Sequence, residues 1–219
     1  MANILCIETA TTNCSVALSV NGSVIALRED LSQGYSHAEL LHSYIEQVLE
    51  EGQMAKEDLD AIAISMGPGS YTGLRIGVSA AKGLCYALEI PLISVPTLTA
   101  LAHRAMDESG VIVPMLDARR MEVYSAVFNS EKKEIRKTKA EILTESSFLD
   151  YLEKGSVSFI GSGVAKFMDI CNHPNANFIL DQLPSAAQMA SLAEVKQKIG
   201  NTEDVAYFEP YYLKDFISG

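Results

Sequence analysis

One pattern occurs twice in this chain and constrains its fold more than any other feature. "NILCIETATTNCSVALSVNGSVIALRED" (3–30) opens with an apolar strand ending on an acid, Glu8, followed by an alternating strand, a turn and a return strand. "GVIVPMLDARRMEVYSAVFNSEKKEIRKTKAEIL" (110–143) repeats that order, its first strand ending on Asp117. After each triplet, helical and strand-like segments alternate. A repeated unit of this kind predicts an α/β protein of two tandem lobes, each a mixed sheet with flanking helices. The expected lobes are 1–107 and 108–219, with the tail "YFEPYYLKDF" free to pack back on the N-terminal lobe. Asn21-Gly22 is a two-residue hairpin signal. Helices are expected over 38–51, 72–88, 98–106, 146–152, from Val164, and over 185–198, where apolar residues recur at helical spacing.

With 48% apolar residues in 219 and a net charge of −11, the chain can bury a large core but is poorly suited to grip a nucleic-acid backbone unaided. "SEKKEIRKTKAE" is a local exception, gathering Lys132, Lys133, Arg136, Lys137 and Lys139. It reads as a lysine-protected edge strand or as a surface facing RNA. The N-terminus has no secretory pattern, and no apolar run is long enough to cross a membrane. Cys6, Cys14, Cys85 and Cys171 are scattered without a CxxC, which fits buried thiols in a reduced, cytoplasmic protein better than a disulfide or zinc framework.

"AISMGPGSYTGLRIGVSAAKG" (63–83) runs from a buried strand through Gly-Pro-Gly into a helix, the layout of an anion site. It lacks the Gly-Lys-Ser/Thr ending of a P-loop. Ser70 and Thr72 open the helix. Arg75 in its first turn opposes the helix dipole, so it must answer a carboxylate such as Glu8 or a bound anion. Gly163, in "FIGSGVAKF", opens another helix as either a loop facing a ligand or a plain strand-to-helix turn. Glu8, Ser70, Thr72, Arg75, Asp117 and Gly163 are therefore the candidate anion or interdomain-cleft residues. His37 and His42 are five apart, about 140° around a helix, so they cannot face one ion together. No HExxH or nucleophile elbow is present, and no metal or catalytic residue is assigned.

The two acid-ended lobes resemble the actin, sugar kinase and heat-shock ATPase superfamily, with its tandem RNase H-like lobes. In that superfamily glycines in the two strand-one turns let the backbone approach phosphates. Here "IETATTNC" and "LDARRMEV" contain none, which argues against an independent ATPase. "ILCIETATTNCSVAL", "ISMGPGSYTGLRIGVSAAKGLCYALEIPLISVPTLTALA" and "MLDARRMEVYSAVF" resemble the TsaB (formerly YeaZ) family, whose members act in tRNA threonylcarbamoyladenosine synthesis; older descriptions class it as peptidase M22-like. The resemblance implies a non-catalytic, cofactor-free subunit that pairs with the transferase TsaD, joins the ATPase TsaE, meets tRNA only inside that complex, and homodimerises alone. TsaD carries two metal-binding histidines where this chain has Thr97 and Leu101, and neither replaces imidazole.

An apolar arc on the first helix, including Leu41, Tyr44, Ile45 and Val48, is wider than the stripe of about 100° one sheet requires. Gly73, Gly77 and Ala81 repeat at four-residue spacing on the second helix. This pair is expected either to dock on a partner's helices or to seal against its own sheet.

Overall fold

A computed structural model describes residues 2–30, 36–106 and 110–214. It forms two compact units, one comprising Met1–Ala100 with Pro184–Gly219, the other Leu101–Leu183.

The first unit is built on a five-stranded sheet in the order β3-β2-β1-β4-β5, from β1 (Asn3–Glu8), β2 (Cys14–Val20), β3 (Ser23–Asp30), β4 (Ala61–Ser65) and β5 (Leu92–Val95). β1, β2 and β3 are joined antiparallel, whereas β4 and β5 add in parallel beyond β1. Asn21 and Gly22 turn between β2 and β3 with φ of 52° and 77°, the left-handed pair a tight hairpin requires. Both faces of the sheet are covered, which is why Ile4–Ile7 of β1 and Ala61–Ile64 of β4 are apolar runs rather than alternating. On one face lie α1 (His37–Glu51) and α2 (Tyr71–Leu88), packed over Leu5, Ile7, Val16, Ile62 and Ile64. α3 (Thr97–Arg104) follows β5.

The opposite face, Ile4, Cys6, Ala17, Ala61, Ala63 and Ile93, is covered by the last helix in the chain, Ala186–Lys198. Its Ala186, Met189, Ala190 and Ala193 are fully buried there. The small alanines on both sides let helix and sheet approach closely. The polar edge is pinned as well: Ser15 Oγ accepts from Ala186 N at 3.0 Å, Asn13 donates to the Pro184 carbonyl at 2.9 Å, and Lys196 donates to the Ser94 carbonyl at 2.6 Å. The expected second lobe of 108–219 therefore gives up its final helix to the first unit. The tail continues on the same unit, with Tyr211 N donating to the Met66 carbonyl at 2.7 Å.

The second unit repeats the mixed plan in the order β10-β9-β6-β7-β8, from β6 (Val111–Asp117), β7 (Glu122–Phe128), β8 (Glu134–Ile142), β9 (Val157–Ile160) and β10 (Ala176–Ile179). Its helices are short, α4 (Leu149–Leu152) and α5 (Val164–Met168); Ala186–Lys198 is α6. Phe148, Phe159, Phe167 and Phe178 form its aromatic centre, with centroids 4.8–6.1 Å apart. All four cysteines are buried free thiols, and burial pushes Cys6 and Cys85 up to about 12. Among the described residues, no helix is long and apolar enough to cross a membrane.

Candidate functional site

The Gly-Pro-Gly turn owes its composition to packing. A side chain on Gly69 would collide with Ala10, and one on Gly67 would reach the Tyr211 carbonyl oxygen at 2.7 Å. The turn after β1 is thus pressed into the start of α2. Ser70 N donates to the Ala10 carbonyl at 2.7 Å, Gly73 N donates to the Ser70 hydroxyl at 3.3 Å, and Thr9 Oγ1 donates to the Gly73 carbonyl at 2.8 Å. Protein atoms already occupy two of the N–H groups that a helix start leaves for an anion. Thr72 is exposed in the first turn of α2.

Arg75 does not meet Glu8. Its guanidinium lies over the Tyr71 ring at 5.3 Å and donates to the Tyr71 hydroxyl at 3.3 Å, while the tail's Tyr212 packs against Tyr71 with its ring tilted by 36° and centroids 4.9 Å apart. The carboxylate–arginine pairing that the sequence suggested is absent because Glu8 is fully buried and Arg75 is exposed. Burial pushes the Glu8 carboxyl up to about 7, opposed by the Ser65 hydroxyl and by the backbone N–H groups of Ala10 and Thr9. Ala10 N donates to Glu8 Oε1 at 2.6 Å.

In the second unit Asp117 ends β6 beside solvent. It accepts from Arg119 N at 2.6 Å and pairs with Lys166 at 2.9 Å. Gly163 N already donates to the Met115 carbonyl at 3.0 Å, and a side chain there would press on Val123 at 2.8 Å. Gly163 is the close-packed strand-to-helix turn of the two readings. The basic cluster on β8 is also divided. Arg136 belongs to the fold, donating to Glu141 and Ser125 at 2.6 Å and covering Phe148 at 4.9 Å. Lys139 pairs with Glu141 at 3.0 Å, whereas Lys133 and Lys137 are exposed.

The residues expected to meet a partner mostly face inward. Leu41, Ile45 and Val48 are buried against their own sheet, with Tyr44 half-buried beside them. Gly73 and Gly77 are needed because any side chain would strike Thr9, at its carbonyl and its hydroxyl respectively, and Ala81 is buried in the same core. The wide arc of α1 is consumed by a sheet on one side and α2 on the other. A different set, offset by one position in α2 and mostly half-buried there, edges the outer side of the helix pair. Ala38 and His42 from α1, with Ile76, Ala80, Gly83 and Leu84 from α2, line a shallow groove of about 670 Å³. Gly83 differs from the other two glycines: apart from its own helix backbone and chain neighbours, no atom lies within 4 Å of where its side chain would be. Sequence reasoning missed this set because both rows of α2 carry small residues, and spacing alone cannot say which row faces the sheet.

Thr97, at one of the positions where the resemblance places a metal ligand, is fully buried. Its hydroxyl pairs with Ser65 at 2.7 Å and accepts from Gly67 N at 3.1 Å. Leu101 is buried apolar core. Among the described residues, no three His, Cys, Asp or Glu side chains are grouped as a metal site.

The family model described as TsaD, tRNA N6-adenosine threonylcarbamoyltransferase, matches residues 33–216. The chain is 30% identical over 226 residues to the tRNA threonylcarbamoyladenosine biosynthesis protein TsaB of Escherichia coli, covering 98% of this chain and 96% of that one. To the Haemophilus influenzae protein of the same name it is 28% identical, covering 98% and 94%. Two solved structures from Pseudomonas aeruginosa superpose closely. One is described as an uncharacterized protein with similarity to peptidase YeaZ, with a TM-score of 0.87, 25% identity and coverage of 98% and 100%. The other is YeaZ itself, with a TM-score of 0.83, 26% identity and coverage of 97% and 100%. Two mixed five-stranded sheets with flanking helices, of actin-like ATPase type, agree with both matches. With sequence similarity spanning nearly the whole chain and the same fold, the protein belongs to the TsaB (YeaZ) family, within the group matched by the threonylcarbamoyltransferase model.

Proposed function

We propose that this chain is a non-catalytic subunit in tRNA threonylcarbamoyladenosine formation, and that it acts by docking the outward α1/α2 groove on a TsaD-type transferase. The single observation that carries the docking surface is Gly83. In the middle of an exposed helix, glycine costs about 0.8–1.0 kcal/mol relative to alanine. Nothing inside the unit requires glycine there. A neighbouring helix approaching over Ser79, Ala80 and Gly83 supplies the missing reason, with Ile76 and Leu84 as its apolar flanks. The occupant is a TsaD-type protein because the chain itself matches that family model, and a relative of like fold presents a like helix pair. The same self-complementary surface supports a homodimer when the chain is alone, so the two assemblies exclude each other. TsaE joins this assembly, and tRNA is engaged within it.

The absence of a catalytic role is supported by Thr97, whose hydroxyl is committed to Ser65 and Gly67, and by Thr9 and Ala10, whose backbone fills the start of α2. Both positions are occupied by packing that a reactive centre would have to displace.

The test is reconstitution. The chain alone forms no threonylcarbamoyladenosine; added to TsaD, TsaE, tRNA and threonylcarbamoyl-adenylate, it is required for product. Ile76→Arg and Ala80→Arg, at half-buried positions on the groove side of α2, lose that stimulation by more than any drop in their melting temperatures explains. Undiminished stimulation by both variants places the docking surface elsewhere.

A further inference from the structure

We propose that the loop between β6 and β7 is a phosphate-backbone contact for RNA, made by Arg119 and Arg120. This rests on the reading above only in taking RNA as the polyanion present.

The acidic charge is unevenly held. Leu101–Leu183 carries ten of the seventeen Lys and Arg residues and twelve of the twenty-eight Asp and Glu, so the net −11 resides mainly in the other unit. Within 101–183, Arg119 and Arg120 stand out by conformation. Both have positive φ, 73° and 51°, consecutively, where glycine or asparagine would sit at less cost. The hairpin between antiparallel β6 and β7 demands this left-handed pair, as the Asn21-Gly22 turn does, but it does not demand arginine at either place.

The turn is held in place. Asp117 accepts from Arg119 N at 2.6 Å, and Lys166 donates to the carbonyls of Arg120 at 2.6 Å and Glu122 at 3.2 Å. Lys166 also pairs with Asp117, so that carboxylate is already compensated. Both arginine side chains are exposed, and neither has an ion pair among the described residues. A braced loop thus presents two uncompensated guanidinium groups, the geometry suited to bidentate phosphate binding.

The neighbouring strand extends this surface. Leu143 N donates to the Met121 carbonyl at 2.7 Å, so the end of β8 adjoins the loop. Lys137 on β8 and Lys133 just before its start are exposed. Its nine residues span about 30 Å at roughly 3.3 Å each. Cations spread over that length fit a polynucleotide backbone rather than a single phosphate group. Protection of an exposed edge explains lysines on β8. It does not explain arginines in a loop off that edge.

The experiment is a fluorescence-anisotropy titration of the full chain, alone and mixed with TsaD, against labelled, unmodified tRNA transcript between 50 and 200 mM KCl. The wild type is expected to bind with an affinity that falls steeply with salt. Arg119→Gln/Arg120→Gln should weaken binding about tenfold or more at 50 mM and reduce the log–log salt slope by roughly two, about one for each phosphate no longer neutralised. Lys154→Gln, exposed elsewhere in the same unit, should change neither, and all three proteins should melt alike. Equal binding by wild type and the double variant overturns the proposal, as does no salt-dependent binding by the wild type. So does a double variant that loses TsaD pairing while retaining RNA affinity, because the arginines then serve a protein interface. Co-purification with TsaD is scored separately: loss of RNA binding without any TsaD pairing refutes the docking reading and leaves this one standing.

Discussion

Three glycines spaced along one helix serve two opposite purposes here. Gly73 and Gly77 make room for Thr9 inside the unit, whereas Gly83 faces open space. The residues therefore predict opposite outcomes. Gly77→Ala places a methyl against the Thr9 hydroxyl and destabilises the isolated chain. Gly83→Ala raises its stability by about 1 kcal/mol, because helix propensity improves with nothing to strike. Chemical denaturation separates the two, and the same Gly83→Ala protein should pair less tightly with TsaD. Glu8 gives a second residue-scale prediction, through pH. Its folded-state pKa is raised to about 7 from an ordinary value near 4.5, so the fold holds a proton that the unfolded chain releases. The associated stability is fully present below about pH 4.5 and lost as pH rises through about 7. Glu8→Gln removes this dependence: it matches wild type near pH 4.5 and exceeds it at pH 8, by an amount on the order of 3 kcal/mol. A Glu8→Gln protein that follows the wild-type stability curve across that window contradicts the assignment of a protonated, buried carboxyl.

Among the elements, the duplicated strand triplet was legible because it rests on local chemistry. Apolar runs, the Asn21-Gly22 turn and the terminal acids Glu8 and Asp117 specify their strands without long-range information. Helix limits followed from periodicity within about a turn, as with His37–Glu51 and Tyr71–Leu88. The destination of α6 was not legible. Its alanine-rich face fits β1 and β4, more than a hundred residues earlier in the chain, and no local signal marks that pairing. Nor could spacing reveal that Leu41, Ile45 and Val48 are consumed by their own sheet, or that Arg75 turns to Tyr71 instead of Glu8. These are choices between competing partners, settled by packing. Met189→Ala tests the placement of α6. Removing this fully buried side chain should cost about 2–5 kcal/mol. In hydrogen exchange the loss of protection should fall on β1 and β4 while β6 and β9 keep theirs. A loss confined to β6 and β9 would return α6 to the second unit.

At the scale of the whole molecule, the fold retains the strand and helix layout of a nucleotide-handling protein while its close approaches are filled from within. Ala10 occupies the Gly69 turn, Thr97 is bound to Ser65, and Gly163 is locked to Met115. ATP turnover by the isolated chain should accordingly be negligible, far below the roughly 1–10³ per second typical of enzymes. What remains outward is a groove with a glycine that its own unit does not need. This groove is what would make the chain an indispensable partner rather than a catalyst. The most direct test counts threonylcarbamoyladenosine per tRNA in a reaction of TsaD, TsaE and threonylcarbamoyl-adenylate, with the chain absent, present, or present as Ala80→Arg. Product is expected only with the wild-type chain. Full modification without the chain, or with Ala80→Arg at wild-type levels, would contradict it.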